Sequence, residues 1–257
     1  MKVLFLIYHG FSEVSGISKK IHYQVKGLRE NGYEVHLCYY DFSSEGHRCR
    51  YINGNVIKDY GTGRMAAIRQ RLDYDCIYKY CIDNGIQFVY ARSFQNANPV
   101  LISFFRKLRK AGIRSVTEIP TYPYDGEFNG FPLLTRMGLL VDKMFRNSLS
   151  SNMDAIVTFS AAKRIFGQRT INISNGVDFD SIPIHAFTKT DDAIHLVGVA
   201  EVHYWHGYDR MVAGLGEYYK KNPDGRKVFF HIVGGIWSGN LVDSKNAPGI
   251  QTLIDKY

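Results

Sequence analysis

The sequence predicts an α/β fold with parallel sheet, arranged as two successive domains of which the second is short, and three observations carry that prediction. Apolar runs alternate with helix-like segments from the first residue onward. The runs are continuous rather than alternating, as in KVLFLIY and DAIVTF, which marks strands covered on both faces. The alternation is interrupted once, by the polar, aperiodic stretch NGVDFDSIPIHAFTKTDD at 175–192, and then restarts.

The elements follow in order. Lys2–Tyr8 is the first strand, and GISKKIHYQVKGLRENGYEVHLCYY supplies a helix, a stop at Gly32 and a second strand. That is a βαβ unit, so the sheet begins parallel. Further strands are expected near 52–57 and at QFVYAR, IRSVTEI, DAIVTFS and RTINIS. Helices are expected near 63–83, 97–111, 131–149 and 161–166. Beyond the interruption come a strand AIHLVGVA, a helix GYDRMVAGLGEYYKK, a turn NPDG and a strand KVFFHIVGG. The domains are therefore placed at 1–175 and 176–257. Only 65 residues follow position 192, short of the roughly 100–150 of an ordinary domain, so the second domain is expected to be cut short.

With 45% hydrophobic and 22% charged residues the chain can bury a core, which excludes a disordered protein. No apolar run approaches the roughly 18–20 residues of a spanning helix, and MKVLFLIYHG turns polar too soon for a signal peptide. A cytoplasmic location is expected, with peripheral attachment at the inner membrane face as an option. Cys38, Cys49, Cys76 and Cys81 form no CxxC pair and read as reduced thiols rather than metal ligands. The net charge of +8 is unevenly placed: residues 1–175 hold 24 Lys and Arg against 14 Asp and Glu, a net +10, and residues 176–257 hold 8 against 10, a net −2. Such a field favours an anionic partner: a membrane surface, a lipid phosphate or a nucleic acid. Basic residues scattered over several helices without a recognition motif argue against nucleic acid. The segments ISFFRKLRKAG and FPLLTRMGLLVDKMFRNSL fit either core-facing helices with a solvated basic side or basic amphipathic helices on an anionic membrane.

Three loops hold the chemistry. HGFSEVSGISKK lacks the GxGxxG fingerprint, but it puts Ser15 and Gly16 at a helix N-terminus, where free N–H groups favour an anion, with His9 at the end of the preceding strand. EIPTYPYDGEFNG sets Glu118 at a strand's C-terminal end, followed by Tyr122, Tyr124, Asp125 and Glu127. Aromatic faces stack on pyranose C–H groups and carboxylates accept hydroxyl hydrogen bonds, so these residues fit a sugar-binding surface; a solvated loop is the plainer reading. VAEVHYWHGYDRM joins a strand to a helix, the usual setting for a phosphate, yet it holds Glu201, His203 and His206 and no Lys or Arg before Arg210.

In the order of these parts the chain resembles the retaining glycosyltransferases of the GT-B class, family 4 type. The resemblance is carried by the glycine loop ending at Gly16, by DAIVTFS, by ISNGVD across Asn175–Asp178, and by HGYD opening a helix after the first strand of the second domain. It implies two Rossmann-like domains facing across a cleft, an N-terminal one on the acceptor side and an incomplete second one for a nucleotide-sugar donor. No metal and no cofactor are implied, since the nucleotide sugar is a substrate. Donor binding then falls to Gly16, Asn175, Glu201, His206 and Gly207, and acceptor binding to His9, Ser15, Tyr122, Tyr124, Asp125 and Glu127, with Glu118 as the catalytic candidate. Similar proteins build capsular, exopolysaccharide or lipopolysaccharide glycans on glycan or lipid-linked acceptors, which fits a basic first domain.

Two departures qualify the resemblance. Where the family carries an Arg and then Lys-Gly to neutralise the donor diphosphate, this chain has Glu201 and His206; a histidine can take the lysine's place when protonated. The family's later pair of glutamates eight positions apart has no counterpart before Tyr257, so the chain is expected to transfer sugar slowly or not at all. Two other classes remain open. One is a nucleotide-sugar epimerase using Glu118 and His9 as an acid/base pair. The other is a non-catalytic glycan-binding or scaffolding module.

Overall fold

The computed structural model describes residues 1–12, 15–92, 96–125, 133–184, 191–200 and 206–234. The chain divides into two compact units, Met1–Ile182 and Pro183–Tyr257, seven residues beyond the boundary read from sequence.

The first unit runs β1 (Lys2–Ile7), α1 (Gly16–Glu30), β2 (Glu34–Phe42), β3 (Arg48–Ile52), β4 (Asn55–Asp59), α2 (Gly63–Leu72), α3 (Asp75–Asp83), β5 (Phe88–Arg92), α4 (Pro99–Lys110), β6 (Arg114–Ile119), α5 (Leu133–Ser151), β7 (Ala155–Thr158), β8 (Arg164–Ile165) and β9 (Gln168–Asn172). Its sheet has the order β4-β3-β2-β1-β5-β6-β7-β9-β8. The strands from β2 to β9 in that order are parallel, while β3, β4 and β8 join by antiparallel pairing.

The continuous apolar run of β1 explains the layering. Val3, Phe5 and Ile7 point to one face and bury against Ile21 and Val25 of α1. Leu4 and Leu6 point to the other, against Ile77 and Cys81 of α3 and Leu101, Phe105 and Leu108 of α4. Each such side chain contributes roughly 1.5–3 kcal/mol when fully buried. α4 shows how its sequence makes a helix: Asn98 caps it by accepting from the amides of Val100 and Leu101, and Pro99 takes the first helical position. Leu101, Phe104, Phe105 and Leu108 then recur on the inward side.

β1 pairs with β2 on one side and β5 on the other, so the strand order reverses between β1 and β5. In open α/β sheets the crevice outside the carboxyl ends at such a reversal is where ligands bind.

Three elements differ from the sequence reading. The strand expected near 52–57 is a hairpin, β3 and β4, turned by Asn53 and Gly54 at φ 49° and 85°. Asn-Gly tolerates positive φ at both positions, which the right-handed strand twist favours in a two-residue turn. The helix expected over 63–83 is two, because the Asp73 carboxylate accepts from the amides of Asp75 and Cys76 and starts a new helix there. Buried Arg50 closes the end of α2 by donating to the carbonyls of Gln70 (2.7 Å) and Asp73 (3.2 Å). The helix expected at 161–166 is absent: Phe166 and Gly167, at φ 47° and 79°, turn β8 back onto β9.

The second unit holds β10 (Ile194–Val199), α6 (Tyr208–Lys221) and β11 (Val228–Val233), with the two strands parallel. Tyr208 lies against Gly198 of β10, where a Cβ would stand 2.9 Å from its ring, and meets Phe230 of β11 edge-on at 5.5 Å. This is one βαβ crossover, with the N-terminus of α6 at the carboxyl end of β10. Among the described residues no helix is long and apolar enough to cross a membrane.

Candidate functional site

The carboxyl ends of β5 and β6 meet in a charged cluster around Glu118, which is 0% exposed. The parallel register sets Arg92 of β5 beside Glu118 of β6. One carboxylate oxygen accepts from Arg92 Nε at 3.0 Å and Lys20 Nζ at 3.3 Å. The other accepts from the Tyr90 hydroxyl at 2.6 Å and Gln24 Nε2 at 2.8 Å. Lys20 and Gln24 come from α1 with helical i, i+4 spacing, so one helix face delivers both. Tyr90 is held in turn by stacking on Phe5 at 4.8 Å.

Burial alone would raise the Glu118 pKa, but hydrogen bonds from Tyr90 and Gln24 and the charges of Lys20 and Arg92 outweigh it and hold the carboxyl below its usual range. Burial lowers the Lys20 pKa, with the attraction of Glu118 opposing it and the like charge of Arg92 adding to it. The Tyr90 hydroxyl is pushed up by burial and by the carboxylate it serves. Two cations against one carboxylate leave a local positive excess at the strand ends.

Beside it lies a cleft of about 490 Å³, walled by Gly16, Lys19, Lys20 and Tyr23 of α1, Phe159 after β7, and the extended segment Asn175–Val177. The Lys20 ammonium sits 3.6 Å from the centroid of Phe159. Ser15 caps α1, its hydroxyl accepting from the Ser18 amide at 3.4 Å, so the helix opens at the cleft. Asp178 accepts from Lys26 Nζ at 2.7 Å, which ties the Asn175–Val177 segment back to α1. The arrangement offers an anion three kinds of partner: a helix N-terminus, an ammonium and a side-chain amide.

Of the residues named from sequence, Gly16 and Asn175 share this cleft and Ser15 caps the helix at its edge. His9 is exposed just past β1, with its Nδ1 2.8 Å from the Gly10 carbonyl oxygen. Tyr122 is half-buried, edge-on to Phe166 at 5.7 Å. Tyr124 is buried and donates to Asp142 at 2.6 Å. Asp125 is ion-paired with Arg146 at 2.8 Å and Lys143 at 3.3 Å. Tyr124 and Asp125 thus fasten their loop to α5. Glu127 and Glu201 lie outside the described residues.

Sequence reasoning passed over Lys20, Gln24, Tyr90, Arg92 and Phe159. Two signals were present. An arginine closing a buried apolar strand needs a buried counter-charge, and Lys20 and Gln24 sit one and two turns beyond Gly16 on the same helix face.

In the second unit, Gly207 precedes α6 in the left-handed conformation at φ 67°, with no side-chain cap. The guanidinium of Arg210 folds back over it: a Cβ on Gly207 would stand 2.6 Å from Arg210 Nη2. The cation that the loop lacks in sequence is therefore supplied from the first turn of the helix. His206 is exposed, its ring tilted over Tyr208 at 5.8 Å. Among the described residues no cluster of three His, Cys, Asp or Glu is arranged to hold a metal ion.

A mainly parallel sheet with an order reversal, followed by a second βαβ unit, defines a Rossmann-like α/β protein of the GT-B type. In particular, the chain is similar to the catalytic domain of starch synthase IV from Arabidopsis thaliana bound to ADP and acarbose, with a TM-score of 0.52 and 10% identity over 99% of this chain and 72% of that one. It is also similar to an alpha-glucosyltransferase in complex with UDP and a 13-mer DNA containing a central A:G mismatch, with a TM-score of 0.49 and 15% identity over 100% of this chain; it spans 59% of that enzyme's length. No family model matches the chain, and no curated protein sequence matches it significantly.

Proposed function

We propose that the protein is a glycosyltransferase that moves a sugar from a nucleoside-diphosphate donor to a glycan or lipid-linked acceptor, of the kind used in bacterial surface polysaccharide synthesis. The observation that carries this reading is the cleft at the strand ends, where the start of α1 at Gly16, the ammonium of Lys20 and the side chain of Asn175 converge. These are groups suited to a diphosphate. In the second unit the start of α6, with Arg210 folded over Gly207 and His206 alongside, offers the same chemistry.

The leaving diphosphate develops charge as the glycosidic bond breaks, and preorganised donors at that position are the largest expected contribution to rate. In a retaining transfer the acceptor hydroxyl attacks on the face the diphosphate leaves. Glu118 serves here as a positioning residue, since its oxygens are taken by four protein donors that include Lys20 and Arg92. His9 and Tyr122, both near the strand ends, are left for the acceptor.

The test is thermal unfolding of the chain with UDP, ADP, UDP-glucose and GDP-mannose, because a ligand that binds only the native state raises the melting temperature. At least one nucleotide should raise it, and Lys20→Ala should shrink that rise. If none of the four shifts the melting temperature, the donor reading fails.

A further inference from the structure

We infer that the outward face of α5 docks on an anionic lipid surface. From Arg136 onward, its inward side carries Leu139, Asp142, Leu149 and Ser150, all buried. On the opposite side Met137, Leu140, Val141 and Met144 are 53%, 61%, 42% and 74% exposed. Their spacing of i, i+3, i+4 and i+7 draws them into one stripe about 100° wide. A contiguous exposed apolar stripe of this kind marks a binding surface rather than scatter.

Charge decides the occupant. Arg136 and Lys143, both exposed, lie along one flank of the stripe, where Lys143 shares the Asp125 carboxylate with Arg146, two cations to one acid. The only acid of α5 is Asp142, and it is turned inward to accept from the Ala97 amide and the Tyr124 hydroxyl. From Arg136 onward the outward face of the helix itself therefore carries apolar residues and cations, with Asn147, Ser148 and Ser151 as uncharged polar residues and no acid. Neighbouring α4 ends in Arg106, Lys107, Arg109 and Lys110, of which Lys107 pairs with Asp75 and Arg109 donates to the Ser151 carbonyl at the C-terminal end of α5, and residues 1–175 carry a net +10. A second copy of this chain would bring the same cations to the contact. A protein partner is expected to be met with aromatic anchors, and the stripe has none. Flexible Met and Leu side chains entering the headgroup boundary beside Lys and Arg match an anionic bilayer. The docking does not depend on the donor reading, because none of the stripe residues lines the cleft.

The test is flotation of the full chain with phosphatidylcholine vesicles and with vesicles of phosphatidylcholine and phosphatidylglycerol in equal parts. Binding is expected to the anionic vesicles, to weaken at high salt, and to fall at least tenfold in the double variant Leu140→Asp and Met144→Asp. Both positions are exposed, and an unchanged melting temperature would confirm an intact fold. The charge reversal Arg136→Glu, which leaves the Lys143–Asp125 pair intact, should weaken anionic binding as well. No binding to anionic vesicles, or equal binding by the double aspartate variant, overturns the proposal. So does loss of self-association in that variant by sedimentation velocity, which would assign the stripe to a second copy.

Discussion

The strand-to-helix junctions of the two units solve one problem in two ways. Between β1 and α1 the helix starts from an extended Ser15 with a side-chain cap, and its cation, Lys20, is pinned from below by a carboxylate that four donors share. Between β10 and α6 the helix starts from a left-handed Gly207 with no side-chain cap, and its cation, exposed Arg210, simply folds back over the glycine. The first junction is wired into the core; the second is held by its own backbone. A cation fixed by a buried partner is preorganised and costly to disturb, whereas a surface cation can be lost with little effect on the fold.

Removing the pin is the strongest way to break this contrast. Glu118→Ala leaves Lys20 and Arg92 without their counter-charge, and urea unfolding should show a loss of about 3–5 kcal/mol. The same carboxylate predicts a pH dependence. Because its folded pKa lies below the unfolded value of about 4.3, its contribution is present above that pH and fades as pH falls through the folded pKa. Glu118→Gln should therefore flatten the acid limb of the stability curve measured by denaturant titration at stepped pH.

At the second junction the backbone is the sensitive part. Gly207→Ala places a Cβ in left-handed conformation and against Arg210, so hydrogen exchange along α6 should report a local loss of about 1–2 kcal/mol. Ser15→Ala should cost the first junction about 1 kcal/mol, read as faster exchange in the first turn of α1. The smallest stability effect belongs to Arg210→Ala, within about 0.5 kcal/mol, while nucleotide affinity by calorimetry should fall about tenfold. An Arg210 variant that unfolds the second unit, or a Glu118 variant as stable as the parent, would show that the two junctions do not differ in this way.

The parallel strands and helix starts of the first unit were legible because each rests on local pattern. The apolar run of β1, the Asn98-Pro99 start of α4 and the glycine loops all speak within a few residues. The Asn53-Gly54 turn was legible too, but the apolar residues on either side, Ile52, Val56 and Ile57, read as one strand when the turn dipeptide is given too little weight. The cluster at Glu118 was not. That Arg92 faces it depends on the register of β5 against β6, and that Lys20 and Gln24 reach it depends on how α1 crosses the sheet. Nor does sequence tell that Tyr124 turns inward to Asp142, since aromatic residues in a loop rich in proline look the same whether buried or presented.

Arg50 and Glu118 also tie together stretches of chain of different length. The hydrogen bonds of Arg50 reach partners 10, 20 and 23 residues away, while those of Glu118 span 26 to 98. Short loops close at lower entropic cost, so the β3–β4 hairpin and the end of α2 can lock around Arg50 while the middle of the sheet is still open. The edge of this sheet is thus expected to order first, and the charged cluster, which needs α1 brought across 94 to 98 residues, to close after it.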